Sequence, residues 1–78
     1  MRIQKYKFVE KNIKMLRELT LNGYVSPKLL NNYDIYKTYI SIKNTPKMKR
    51  YKQVSMQKNC SISLVRSAVY EMKQYVNG

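Results

Sequence analysis

The chain has no histidine or tryptophan, one cysteine, two glycines, two prolines and only four acidic residues among its 78. Each scarcity closes a route. Cys60 alone cannot form an intramolecular disulfide, and without histidine no Cys/His cluster can hold a structural metal. The usual base for neutral pH is missing, and Glu10, Glu18, Asp34, Glu71 and Cys60 are not spaced as a nucleophile–base or carboxylate pair. Two glycines cannot build a glycine-rich phosphate loop. No catalytic residue, cofactor, metal site or small-molecule ligand is therefore expected.

No apolar run approaches the ~20 residues that span a bilayer. Charges in MRIQKYKFVEKN stand where a secretory leader would need an apolar segment. A soluble, cytoplasmic protein is the expectation, and basic residues spread over several segments do not suit a membrane-surface helix. A single domain this small hides only ~60% of the surface its unfolded chain exposes, so support from a second copy is in view.

Positive charge is what the chain has in excess. Sixteen Lys/Arg against four acids give +12, and residues 35–70 hold eight basic side chains and no acid. A field of that sign draws polyanions, nucleic acid first among them.

Apolar spacing predicts four helices and no strand, hence an all-α domain over residues 1–78. The first spans 5–22 and stops at Gly23, with Phe8, Val9, Ile13, Met15, Leu16 and Leu19 on one face and a Glu10–Lys14 pair on the other. The second starts with Ser26 as cap and Pro27 in the first turn, and runs to 43 with a break near Asn31–Asn32. Leu29, Tyr33, Ile35, Tyr36, Tyr39, Ile40 and Ile42 make half its cylinder apolar, so it is either the central helix or partly an interface. The third, capped by Thr45 with Pro46 following, turns Met48, Tyr51, Val54 and Ser55 inward and ends near Lys58. The fourth starts at Ser61 and continues to 76, burying Leu64, Val65, Ala68, Val69, Met72, Tyr75 and Val76. The five methionines and eight tyrosines lie mostly at core spacing.

The last two helices meet in VSMQKNCSISLVRSAVYEMK, residues 54–73. Two helices that cross at a three- or four-residue turn need a small residue at the crossing, which Ser55 supplies. The turn needs a residue tolerant of positive φ, and Asn59 is the best choice after glycine. Cys60 can plug the corner as a small hydrophobe, and Ser61 caps the next helix.

This stretch resembles the helix-turn-helix of bacterial and phage transcriptional regulators. SISLVRSAVYEM is similar to the recognition helix of winged-helix regulators of the gluconate-repressor type. The resemblance covers residues 49–74, one third of the chain. Lys58 departs from it where an apolar side chain is usual, and Ser55 replaces the commoner alanine. The chain ends at Gly78, where a wing would begin, so an all-helical, wingless regulator is expected.

The resemblance implies that the third and fourth helices, within 45–76, contact double-stranded DNA. Residues 5–44 would then support them and join a homodimer through the first two helices. Base edges would meet Ser61, Ser63, Arg66, Ser67 and Tyr70, with Ile62 near a thymine methyl; Arg66 could pair both major-groove acceptors of guanine. Lys47, Lys49, Arg50, Lys52 and Lys58 would contact phosphates. MRIQKYK is a candidate basic arm. The charge suits an RNA-binding or ribosome-associated protein as well, with Tyr51 or Tyr70 stacking on bases, and a protein-interaction module using the second helix is a further alternative.

Overall fold

A computed structural model of the chain describes residues 2–77. It is mostly helical, with a short terminal ribbon. The order is β1 (Arg2–Gln4), α1 (Lys5–Lys11), α2 (Ile13–Leu21), α3 (Pro27–Ser41), α4 (Lys47–Lys58), α5 (Ile62–Lys73) and β2 (Tyr75–Asn77).

The expected first helix is two helices. Asn12 sits between them at φ −110°, ψ 21°, and its side-chain amide donates to the Phe8 carbonyl at 2.9 Å. An Asn that bonds back to its own chain competes with the helical ladder. The break also undoes the expected Glu10–Lys14 pair, which does not form; Glu10 instead accepts from the Tyr33 hydroxyl. Gly23 takes φ 81° after α2, as a glycine at a helix end can.

α3 runs unbroken through Asn31–Asn32, contrary to expectation. The side chain of Asn32 is buried and donates to Glu71 on α5, so it leaves its own backbone alone. Ser26 caps the helix by accepting from the Lys28 amide, with Pro27 in the first turn. α4 begins one residue later than the Thr45 cap implied. Pro46 is the residue before it, no side chain caps it, and the Thr45 hydroxyl donates to the Lys43 carbonyl.

α5 ends at Lys73, not at 76. The chain turns extended at Gln74, and Tyr75–Asn77 pairs antiparallel with Arg2–Gln4, Ile3 opposite Val76. Strands of three residues are too short to show a period-two pattern. The N-terminus is thus held in a ribbon rather than offered as a basic arm, and Arg2 lies over the Tyr75 ring at 5.7 Å.

α3 is the central helix: it packs against α1, α2, α4 and α5. Its Tyr33, Ile35, Tyr36 and Tyr39 join Val9, Leu16, Tyr51, Val54, Val65, Ala68, Val69 and Met72 in one core. Met72, Val9, Val54 and Val65 are sealed from solvent; burying such a side chain contributes roughly 1.5–3 kcal/mol. Met15, Met48, Leu64 and Tyr75, expected inside, are exposed. Five tyrosines form a chain of rings through this core: Tyr33 stacks on Tyr6, Tyr6 meets Tyr36 edge-on, Tyr36 stacks on Tyr39, and Tyr39 on Tyr51. Each such pair adds ~0.5–1.5 kcal/mol beyond its buried area.

Candidate nucleic-acid interface

The junction of α4 and α5 is set by three local choices. Asn59 adopts φ 53°, ψ 50°, and the amides of Asn59 and Cys60 both donate to the Ser55 carbonyl. This left-handed closure stops α4 without a glycine. Cys60, half-buried, packs against the core, and the Ser61 hydroxyl accepts from the Leu64 amide at 3.1 Å to start α5.

Beyond that turn the two helices enclose an open groove of about 440 Å³. Lys47 and Tyr51 line it from α4; Ser63, Arg66, Ser67, Tyr70 and Lys73 line it from α5, with buried Val69 at its floor. Tyr51 is packed in the core, and Lys47 lies over its ring at 5.9 Å, which places an ammonium group at the groove wall. Tyr70 is 72% exposed.

Four of the five expected base readers therefore share one groove, but so does Lys47, expected on phosphate. Ser61 stands outside it as the helix cap. Lys49 and Lys52 are exposed on α4, also outside the groove. Arg50 is turned inward: its guanidinium lies 4.8 Å from the Tyr39 ring centre, and Nη2 donates to the Thr45 carbonyl at 3.5 Å. A cation held on an aromatic face is worth ~0.5–2 kcal/mol to the fold, so Arg50 would have to give up these contacts to reach a phosphate. Lys58 pairs with Asp34 at 3.6 Å, which explains a lysine at that position of the turn and offsets its charge. Lys73 was not among the expected site residues, and Tyr51 was expected only as a base-stacking side chain in the RNA alternative. Lys73 lies seven residues after Arg66 and Tyr51 four after Lys47, spacings that put each pair on one helical stripe.

The acids are placed elsewhere. Glu10 faces Tyr33, Asp34 meets Lys58, and Glu71 takes Lys5 Nζ at 2.7 Å and the Asn32 amide; none of the four lines the groove. Burial pushes the Glu71 carboxyl up, but the bonds from Lys5 and Asn32 and the charges of Lys5 and Lys28 outweigh it and hold the carboxyl below its ordinary value. Burial and the Glu10 carboxylate push the Tyr6 phenol up to about 12; burial, reinforced by Glu10, raises Tyr33, and burial raises Tyr36.

All the polar groove side chains can donate hydrogen bonds, three carry full positive charge, and none is a carboxylate. Such a lining suits an anionic, acceptor-rich ligand. Among the described residues no three metal-ligating side chains come together, and no helix is long and apolar enough to cross a membrane. No protein-family model, curated protein or solved structure matches the chain, so the likeness of residues 49–74 to transcriptional regulators rests on those residues alone.

Proposed function

We propose that the protein binds double-stranded DNA through the α4–α5 face, as a small transcriptional regulator or an accessory DNA-binding factor of a mobile element. The groove that gathers Lys47, Arg66 and Lys73 with no acid in its lining carries this reading. The two helices would act as a helix-turn-helix, closed by Asn59 and capped by Ser61. At 12 residues α5 is about 18 Å long. The B-DNA major groove admits such a helix, whereas that of A-form RNA is too narrow.

A second copy would give two such faces, matching a two-fold DNA site. Most of the apolar face of α3 is used up in the core, only Ile40 of it being exposed, so the copy would dock on the α2 side, where Met15, Leu21 and Tyr24 are exposed. Light scattering at micromolar concentration should then give twice the 9.4 kDa chain mass, and a single-chain mass sinks the dimer.

Exposed Tyr70 favours one second reading, stacking on an unpaired RNA base. Selection from a random duplex library with RNA competitor present separates the two. Enrichment of an inverted repeat supports a dimeric DNA-binding protein. Capture of RNA with no duplex enriched overturns the DNA reading.

A further inference from the structure

We infer that the α4–α5 groove is a phosphate clamp: Lys47, Arg66 and Lys73 hold the sugar–phosphate backbone of one DNA strand, and Arg66 does not read a base. The inference rests on the duplex-binding reading and assigns a role within it.

Shape is the first reason. Base edges lie at the bottom of a major groove about 8.5 Å deep, so a base reader must project from a convex surface. Arg66 instead borders a concavity, and the part of DNA that fits a concavity is the backbone ridge. Position on the helix agrees. Arg66 comes three residues before buried Val69 and Lys73 four after it, so both flank the floor on the side of α5 that leans toward α4. Lys47 faces them from the other wall, its ammonium group beside the Tyr51 ring.

Chemistry is the second reason. Three full charges over one small groove exceed what a neutral base edge calls for, and they suit the phosphodiester charge of a DNA strand. Ser63, Ser67 and Tyr70 add hydroxyl donors that suit phosphate oxygens. No carboxylate lines the groove to accept from a cytosine amino group. Base contacts then fall to the exposed start of α5 outside the groove, where Ser61 and Ile62 stand.

The test is duplex binding by the full chain across a salt series, on a selected and a scrambled sequence. Lys47→Ala, Arg66→Ala and Lys73→Ala are each expected to lower the slope of log affinity against log salt by about 1. The affinity lost should be the same on both duplexes. Arg66→Lys is expected to keep most of the wild-type affinity on both duplexes, because a phosphate accepts a point charge, whereas a bidentate base contact does not survive the exchange. A loss for Arg66→Ala confined to the selected duplex, or a wild-type slope in that variant, overturns the clamp and leaves DNA binding standing. Wild-type protein that binds neither duplex at low salt overturns the DNA reading itself.

Discussion

The part-buried seam between α1, α3 and α5 and the face formed by α4 and α5 treat charge in opposite ways. In the seam, charge is matched: the Glu71 carboxylate is met by the Lys5 ammonium and the Asn32 amide, close to the stacked tyrosine rings. On the α4–α5 face, Lys47, Arg66 and Lys73 gather with no acid in the groove they line. A protein this small has little stability to spare, so like charges left together at a groove are a cost that a bound polyanion would remove. Matched charge supports the fold, and the acid-free gathering of charge in that groove supports the proposed site.

Four experiments separate the two regions. Met72→Ala, in a fully sealed position, should lower stability by ~2–5 kcal/mol in denaturant unfolding. DNA affinity of the molecules still folded should stay the same; a selective loss of affinity would blur the two regions. Asn32→Ala removes a buried donor from a carboxylate and should cost ~1–3 kcal/mol, again without changing the salt slope of binding.

The pH dependence follows from the matched groups. Glu71 has a folded value below its ordinary 4.5, so its contribution is present above 4.5 and is lost as pH falls through the lowered folded value. Tyr6 titrates near 12 in the fold against 10.0 unfolded, so stability should decline from about pH 10 to 12 as the unfolded chain ionises first. Thermal unfolding across pH checks both limbs, and a flat acid limb in wild type would remove Glu71 from the account. The smallest effect is Lys49→Ala. It should leave stability within ~0.5 kcal/mol while lowering the salt slope of DNA binding by about 1, equally on every sequence.

What could be read in advance was what is local in the chain. Ser26–Pro27, Asn59 and Ser61 set their helix boundaries through bonds to residues at most four positions away, so their types announce them. The stripes of α3 and α5 were legible for the same reason, since a helix face depends only on spacing. Other features depend on distant partners. Asn12 and Asn32 are the same residue type, yet one breaks a helix and the other sits inside one, because only Asn32 has Glu71 to bind. The ribbon joins residues at opposite ends of the chain, and neither three-residue strand shows a pattern alone. Within the site, Ser63, Arg66, Ser67 and Tyr70 were found from one helix face. That Arg50 lies against the Tyr39 ring and Lys58 beside Asp34 could not be read from one helix, and Lys73 and Tyr51 joined one groove only when the two helices met.

We place bound nucleic acid in the α4–α5 groove, and amide chemical-shift mapping of the full chain, titrated with a short DNA duplex, checks that placement. Shifts should concentrate at Lys47, Tyr51, Ser63, Arg66, Ser67, Tyr70 and Lys73, while Lys14 and Arg17 on α2 stay still. Shifts centred on α2, or spread evenly over every lysine, would contradict it.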